Sequence, residues 1–193
     1  MNFVRSFKRP EPRFIMRTVG NVDLSEYTSA IPTLEVAKDR IHNAMDTFRL
    51  SLEMAGDDPC VHLEDDIILC DDFVRRIEAE IAKRPNDVIQ FFSMRKDDLT
   101  IGSRYIRGSL FCCGVCFYLP QGMSADILNF MNSWDKYDDD PTGLDTPLMS
   151  DYFKTNKIKY WNVCPNLVDH KQVKSRINPR RSTKRQSLSF GKD

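Results

Sequence analysis

Three consecutive carboxylates, Glu64, Asp65 and Asp66, stand between two largely apolar runs of the sequence at 60–63 and 67–69. A charged run on a solvated surface is rarely bracketed so tightly by apolar residues. In an extended backbone Glu64 and Asp66 point to one side and Asp65 to the other. Two carboxylates on one side can share a hard divalent cation whose other positions go to water and phosphate oxygens. The alternative is an acidic turn that caps the following helix.

The spacing of apolar residues predicts strands that alternate with helices. The predicted strands are 13–19, 60–63, 88–94, 109–119 and 159–163, and the predicted helices are 34–54 with Thr33 as N-cap, a helix capped by Asp71 or Asp72 and running to Lys83, 124–134, and one beginning near Asp145. This alternation indicates an α/β, Rossmann-like open sheet flanked by helices. In such a sheet ligands bind outside the carboxyl ends of strands, where the acidic residues fall.

Three stretches resemble one enzyme family. HLEDDIILCDDF is similar to the Asp/Glu-x-Asp motif of GT-A-fold glycosyltransferases, GSLFCCGVCFYLPQGMSADILNF to their Gly-containing strand and following helix, and GLDTPLMSDYFKTNKIKYWNVCPNLVDH to their acidic helix start, strand and terminal histidine. The resemblance covers 60–170 and is weaker over the first 55 residues. It implies a GT-A-like domain over 1–174 that binds a nucleotide-sugar donor, most plainly a UDP-sugar, with Mn²⁺ or Mg²⁺ on its diphosphate.

The resemblance assigns roles to individual residues. Glu64 and Asp66 match the outer positions of the motif, with Asp66 as the direct metal ligand, and Asp65 faces the nucleotide ribose. His170 matches the terminal histidine that reaches the metal or the diphosphate. The alternative for His170 is a histidine that closes a strand or begins the basic tail.

Asp145 matches the carboxylate that takes the proton from the acceptor hydroxyl in inverting members of the fold, and general-base catalysis requires such a group within hydrogen-bond reach. N-capping of a helix explains a carboxylate at this position equally well. The adjoining loop offers a second candidate base at 138–140, although three aspartates before a proline are typical of a solvated turn.

Two arginines are candidate donor-binding residues. Arg17 lies near the carboxyl end of the first strand, where a nucleotide docks in an open α/β sheet, and it can contact the base or a phosphate. Arg107 precedes the strand near 110–118 and can neutralise a leaving diphosphate. An edge-strand position for Arg17 and a surface position for Arg107 are the alternatives.

The charge is unevenly distributed although the net charge is zero: residues 171–193 hold eight of the 28 Lys and Arg and a single acid. This tail, with 175–193 as its low-complexity part, suggests an anionic partner such as nucleic acid or a membrane surface. The candidate nucleic-acid contacts are Lys171, Lys174, Arg176, Arg180 and Arg181. A solvated terminus or closure over the donor site are the alternatives.

The composition sets the class of protein. With 193 residues, 41% hydrophobic residues and 12 Phe, the chain can bury a core and is not predominantly disordered. No apolar run approaches the roughly 20 residues needed to cross a bilayer, and no signal peptide is recognisable. We therefore expect a cytoplasmic protein, in the host cytoplasm if it is encoded by a bacteriophage.

Six cysteines are expected to be thiols in that compartment. Cys112, Cys113 and Cys116 suggest zinc, but no second ligand pair has suitable spacing, and packing within a buried strand is the favoured interpretation.

The sequence as a whole predicts a metal-dependent glycosyltransferase that moves a sugar from a nucleotide-diphosphate donor to a hydroxyl, with hydroxymethylated pyrimidine in phage DNA as the acceptor. A lipopolysaccharide or capsule sugar transferase and a non-catalytic nucleic-acid-binding module are the alternative hypotheses.

Overall fold

The computed structural model describes residues 10–39, 44–136, 145–174 and 184–191. The strands are β1 (Arg13–Val19), β2 (Leu34–Asp39), β3 (Cys60–Glu64), β4 (Ile67–Leu69), β5 (Val88–Gln90), β6 (Arg104–Arg107), β7 (Cys116–Leu119), β8 (Lys159–Asn162) and β9 (Val168–His170). The helices are α1 (Ser25–Ala30), α2 (Ala44–Ala55), α3 (Phe73–Lys83), α4 (Asp98–Ile101), α5 (Met123–Asn132) and α6 (Asp145–Thr155), with a short 3₁₀ turn at Gly108–Leu110.

Seven strands form one mixed sheet in the order β2–β1–β3–β7–β5–β8–β6. β1 runs parallel to both β2 and β3, and Arg17 and Glu64 are register partners at the carboxyl ends of β1 and β3. A separate antiparallel pair, β4 and β9, aligns Ile67 with His170. The pairing of β4 with β9 brings a residue near the end of the chain beside the acidic residues that follow β3.

The sheet is covered on both faces. One core contains Tyr27 of α1, Ile31 directly after that helix and the buried residues of α3, and the other contains buried residues of α2, α5 and α6. Neighbouring residues of β7 alternate between the two cores, as the two faces of a strand require. The predicted α/β architecture with helices on both faces is therefore confirmed. No described helix has the length and apolarity of a membrane span.

One strand and three helices were predicted with nearly the correct bounds. The first strand, 13–19, is confirmed residue for residue, and the helices predicted to end at 83, to occupy 124–134 and to begin near Asp145 are found within one or two residues. Asp72 does not cap α3 with its side chain, however, because it lies in the left-handed region at φ 53° and its carboxylate pairs with Arg75 instead. Its backbone conformation directs the carboxylate away from the free amides of the first turn.

The predicted long helix over 34–54 is wrong in its first half. Leu34–Asp39 forms β2, an edge strand hydrogen-bonded in parallel with β1, and the described helix α2 is Ala44–Ala55. The apolar spacing of three and four is genuine in α2, where Met45, Phe48 and Leu52 are buried. In 34–39 the same residues fit a strand as well as a helix, and pairing with β1 decides between them.

The predicted strand over 109–119 is also shorter than expected, since only Cys116–Leu119 is extended. Cys113 adopts φ 62°, which interrupts an extended path, and Gln90 Nε2 donates to the carbonyl oxygens of Cys112 and Cys113. Cys116 is buried in a core, as the packing interpretation predicts, but Cys112 and Cys113 lie in a loop. The strand predicted over 88–94 likewise ends at Gln90, and β9 was not predicted.

Candidate metal centre and cleft

A cleft with a cavity volume of about 240 Å³ opens at the carboxyl ends of β1 and β3. Its acidic wall contains Glu64, Asp65, Asp66 and Asp145, and its basic residues are Arg17, Lys171, Lys174 and Arg185. Val19, Val22 and Val173 add an apolar portion beside Asp23. The cleft therefore combines a carboxylate cluster, several cations and an apolar surface within one cavity, as a charged organic ligand requires.

Glu64, Asp66 and His170 come together in this cleft. Each offers a ligand atom, and these atoms all lie within 4.8 Å of one another, which makes them a candidate metal-binding triad. Glu64 ends β3 and Asp66 lies in the turn that follows, and the two carboxylates come together on one side as predicted, while β9 supplies His170. The backbone N–H of Lys171 donates to the carbonyl oxygen of Asp66 at 2.7 Å and thereby fixes the histidine strand against the acidic turn.

The His170 ring is held in a defined orientation. Its Nδ1 lies 2.6 Å from the carbonyl oxygen of Lys171. Because a carbonyl oxygen can only accept, Nδ1 carries the proton, and in the neutral ring Nε2 presents its lone pair to the cleft. Nε2 lies 3.2 Å from Oδ2 of Asp66, which is an ion-pair distance without the direction of a hydrogen bond. This orientation is the one that a metal-ligating histidine needs.

The three groups perturb one another's protonation. Burial raises the pKa of Glu64 to about 7, and the charge of Asp66 adds to the effect. Burial also opposes ionisation of Asp66, but contact with His170 and the charges of His170 and Arg185 outweigh it and lower the pKa of Asp66. Burial disfavours the charged form of His170, yet Asp66 outweighs burial and raises the pKa of His170. Glu64 and His170 therefore hold protons more readily than they would in water, whereas Asp66 stays ionised more readily.

The donor set fits a divalent metal. Oδ1 of Asp66 and Nε2 of His170 are buried and have no hydrogen-bond partner among the described residues. Two carboxylates and one imidazole suit Mn²⁺, and the carboxylate oxygens also suit Mg²⁺, which prefers oxygen ligands. A buried acceptor atom without a hydrogen-bond donor destabilises the folded protein, and a bound cation would remove that free-energy cost.

Arg17 and Asp145 form a buried ion pair in the floor of the cleft. Nη1 of Arg17 donates to Oδ2 of Asp145 at 2.8 Å, and Nη2 lies 3.5 Å from Oε1 of Glu64. The guanidinium also donates to the Gly114 carbonyl oxygen and lies over the ring of Phe48, 5.2 Å from its centroid. Arg17 therefore lines the cleft as predicted for a donor-binding residue, but its described contacts orient two carboxylates.

Asp65 points away from the metal cluster, toward β1. Its Oδ2 accepts a hydrogen bond from the Thr18 hydroxyl at 2.6 Å. The Tyr27 hydroxyl lies 2.9 Å from the carbonyl oxygen of Asp65 and 2.7 Å from that of Ile67, which fixes the turn between β3 and β4. Thr18 and Asp65 both line the cleft together with the valines, and the ribose contact of Asp65 stays a prediction.

The C-terminal segment 184–191 returns to the body of the domain. The Ser187 hydroxyl donates to Oδ1 of Asn166 at 2.7 Å, and the Asn166 backbone N–H donates to the hydroxyl of Ser189, which is fully buried. This docking places Nη2 of Arg185 3.8 Å from Oδ2 of Asp66. Part of the predicted tail is therefore a wall of the cleft. Sequence reasoning assigned Arg185 only to a basic run, because nothing local signals that the chain turns back.

Only some of the remaining predicted site residues line the cleft. Lys171 and Lys174 line the cleft, and Nζ of Lys171 donates to Glu26 at 2.9 Å. Arg107 is exposed on β6, the far edge strand of the sheet, and does not line the cleft. Arg176, Arg180, Arg181 and the alternative base at 138–140 lie outside the described residues.

Comparison with known proteins supports the fold of the domain. No protein-family model matches the chain, and no curated protein matches it in sequence. Among solved structures, the chain is similar to the crystal structure of A197 from STIV, with a TM-score of 0.51 and 15% identity over 83% of this chain and 84% of that chain. At this identity the similarity shows a shared fold, and the function must be argued from the cleft itself.

Proposed function

We propose that this chain is a metal-dependent glycosyltransferase that moves a sugar from a nucleotide-diphosphate donor to a hydroxyl acceptor. The observation that carries the proposal is the triad of Glu64, Asp66 and His170 in a cleft that Asp145 also lines. The resemblance of the sequence to GT-A-fold enzymes and the mixed α/β sheet agree with it.

Glu64, Asp66 and His170 hold Mn²⁺ or Mg²⁺ in this proposal, and the bound ion supplies a Lewis acid for the diphosphate leaving group. Arg185 and Lys174 lie on the same cleft and supply further positive charge for phosphate oxygens. Asp65 and Thr18 are placed to meet ribose hydroxyls, and the valines beside them accommodate a base.

Asp145 is the candidate general base. It begins α6 and is 7% exposed, and Arg17 binds its Oδ2, so the carboxylate is held in one orientation at the cleft. Its Oδ1 is the oxygen we assign to the acceptor hydroxyl, whose proton it takes as the glycosyl bond forms. Arg17 is then a positioning residue, because its described hydrogen bonds are with Asp145, Glu64 and the protein backbone.

An anionic polymer is the acceptor class we favour, with hydroxymethylated pyrimidine in DNA as the specific candidate. The support is the concentration of Lys and Arg after residue 170 together with the basic side chains at the cleft. The hydroxymethyl group of such a base lies in the major groove, and reaching a cleft of this depth requires the nucleotide to leave the helix. A lipopolysaccharide or capsule acceptor is the second candidate for the same basic surface.

The deciding experiment is a screen of nucleotide sugars with Mn²⁺ against hydroxymethylated DNA, unmodified DNA and lipopolysaccharide, read by mass spectrometry. We expect one donor to give a hexose-sized mass increase on one acceptor and slow hydrolysis without acceptor. Asp66→Asn should abolish both, whereas Asp57→Asn, a change at an exposed aspartate outside the cleft, should abolish neither. Metal-independent DNA binding with no donor turnover by the wild type would instead favour a non-catalytic binding module.

A further inference from the structure

Two adjacent thiols, Cys112 and Cys113, lie in the loop between the 3₁₀ turn and β7. Both are free and partly exposed, and neither lines the cleft. Cys113 has φ 62°, a left-handed conformation that residues other than glycine adopt infrequently. A strained backbone beside two neighbouring thiols is a feature that the proposed transferase does not use.

A guanidinium faces the first of these thiols. Nη2 of Arg95 lies 3.7 Å from Sγ of Cys112 and also donates to the Tyr160 hydroxyl at 2.9 Å. The same nitrogen donates to the carbonyl oxygen of Leu110, and Nε of Arg95 is buried with no partner in the described part of the chain. The charge of Asp98 acts on Arg95 and opposes ionisation of Cys112. A guanidinium beside the sulfur acts in the other direction and stabilises the thiolate, which is the nucleophilic form of cysteine.

The second thiol strengthens this effect. The neighbouring Cys113 lowers the pKa of Cys112 to about 6, with help from the charge of Arg95 and against the effects of burial and of the charge of Asp98. The neighbouring Cys112 and burial raise the pKa of Cys113. Cys112 is therefore the more readily ionised thiol of the pair.

The other cysteines of the core have the opposite environment. Cys60 and Cys116 are fully buried, and burial raises the pKa of each above its ordinary value. Cys164 is partly exposed like Cys112, but its Sγ donates to the carbonyl oxygen of Asp98 at 3.2 Å. Cys164 therefore serves as the internal reference for Cys112, because it is a thiol of similar exposure whose described side-chain contact is with a carbonyl oxygen.

We propose that Cys112 and Cys113 form a redox-active thiol pair, in which Cys112 is the nucleophile toward hydroperoxides and Cys113 resolves the oxidised product. The thiolate sulfur attacks one peroxide oxygen, the O–O bond breaks, and a proton completes the released water or alcohol, which leaves a sulfenic acid on Cys112. The Cys113 sulfur then displaces the hydroxyl as water and forms an S–S bond. The peroxide is reduced by two electrons and the two thiols are oxidised.

The product is a readily reversed modification. Neighbouring Cα atoms across a trans peptide are about 3.8 Å apart, which is shorter than the roughly 4.4–6.8 Å typical of disulfides. A disulfide between such neighbours is strained, and strained disulfides are the labile and regulatory ones. Thiol reductants are therefore expected to restore the pair.

The loop connects the thiol pair to the cleft. Gly114 follows Cys113, its carbonyl oxygen accepts from Arg17, and its N–H donates to the Thr146 hydroxyl at 3.3 Å. A Cβ placed on Gly114 would lie 3.2 Å from Oδ2 of Asp145, which shows how closely the loop approaches the carboxylate. Closing a disulfide between 112 and 113 changes the peptide that precedes these contacts, so oxidation is expected to alter the cleft.

The test uses the reduced full-length protein and hydrogen peroxide at neutral pH, with cysteine chemistry read by peptide mass spectrometry. We expect a two-hydrogen mass loss assigned to the 112–113 pair and its reversal by a thiol reductant. Cys113→Ser should instead accumulate a sulfenic acid on Cys112 that a dimedone probe captures, and Cys112→Ser should give neither product. Cys164→Ser is the matched control and should behave as wild type.

Alkylation rates give a second measurement that needs no oxidant. Iodoacetamide at pH 7 should modify Cys112 at least about tenfold faster than Cys164, and Arg95→Gln should reduce that ratio in a protein whose circular dichroism is unchanged. Equal rates at Cys112 and Cys164, or oxidation that links Cys112 only to a cysteine other than Cys113, would overturn the proposal. Neither readout depends on transferase activity, so the two proposals fail separately.

Discussion

The side chain of Asp169 accepts a hydrogen bond from the backbone N–H of Ser187 at 2.7 Å, and the same oxygen accepts the backbone N–H of His170 at 2.9 Å. One carboxylate therefore fixes both a candidate metal ligand and the C-terminal segment that carries Arg185. Because Arg185 reaches to 3.8 Å from Asp66, docking of this segment and the charge of the metal cluster are linked.

Arg185→Gln tests that link. Removal of the guanidinium takes away a cation that competes for Asp66, so Mn²⁺ alone should bind severalfold more tightly. The same change removes a cation available to phosphate oxygens, so inorganic pyrophosphate in the presence of Mn²⁺ should bind about tenfold more weakly, which corresponds to about 1.4 kcal/mol. Isothermal titration calorimetry measures both affinities.

Arg75→Gln is the matched control for Arg185, because Arg75 is an exposed arginine on α3 whose ion pair is with Asp72. It should leave both affinities unchanged. If Arg185→Gln also leaves both unchanged, Arg185 is not part of the ligand-binding wall of the cleft.

Glu64→Gln should stabilise the metal-free protein at high pH. Burial raises the pKa of Glu64 from 4.5 to about 7, so the folded state resists its ionisation and the wild type loses stability as pH rises through that window. The variant does not ionise there. We expect its free energy of unfolding to gain up to about 3 kcal/mol relative to wild type between pH 4.5 and pH 8.

Urea denaturation in a chelating buffer at several pH values measures this difference. Glu53→Gln, a change at an exposed glutamate of α2, should follow the wild type at every pH. A constant difference between Glu64→Gln and wild type from pH 4.5 to pH 8 would contradict the burial argument.

Asp66→Asn and Asp65→Asn should separate the metal ligand from its neighbour. Loss of partners that only support a metal ligand costs about 10- to 100-fold in affinity, so removal of the Asp66 carboxylate should weaken Mn²⁺ binding at least a hundredfold. The Asp65 carboxylate accepts from Thr18 and should matter by less than about tenfold. Electron paramagnetic resonance counts the free Mn²⁺, and equal losses in both variants would remove the distinction.

Asp145→Asn should preserve binding and abolish most of the transfer rate. Asparagine can still accept from Arg17 and still suits a helix start, but it cannot take a proton from the acceptor. General-base catalysis contributes about 10² to 10⁴ in rate, and we expect a loss of kcat in that range with donor affinity kept within a few-fold. Asp151→Asn on the same helix is the control. A near-normal kcat would leave Asp145 with a structural role and shift attention to 138–140.

The local part of this structure was predictable from the sequence, and the long-range part was not. β1, α3 and α5 follow from apolar spacing, and the placement of Glu64 and Asp66 on one side was predictable because alternation along an extended backbone is a local property. Leu34–Asp39 could not be assigned locally, since its residues satisfy both periods and only pairing with β1 selects the strand.

The cleft residues also divide into those that the local sequence predicted and those that only long-range contacts bring together. Glu64 and Asp66 were identified from their spacing, and His170 only through a resemblance, because pairing of β4 with β9 joins positions about a hundred residues apart. The contacts of Arg17 with Asp145 and of Arg185 with Asp66 cross still greater separations. Side chains that meet through such topology carry no signal in the neighbouring sequence.

Three arginines of the tail, Arg176, Arg180 and Arg181, lie outside the described residues and were predicted to contact nucleic acid. Deletion of 175–193 would remove Arg185 and the Ser187 and Ser189 anchors as well, so it cannot isolate a DNA contact. A triple change of Arg176, Arg180 and Arg181 to Gln spares that segment. If these three arginines neutralise DNA phosphates, the slope of log affinity against log salt should become shallower by about 2.7, at about 0.9 per phosphate. Fluorescence anisotropy with labelled duplex DNA from 50 to 300 mM NaCl measures the slope, and Mn²⁺ affinity should stay at the wild-type value.

An unchanged slope would show that these residues do not contact DNA and would leave the lipopolysaccharide or capsule acceptor as the better candidate. A lost Mn²⁺ affinity would show instead that this part of the tail supports the cleft.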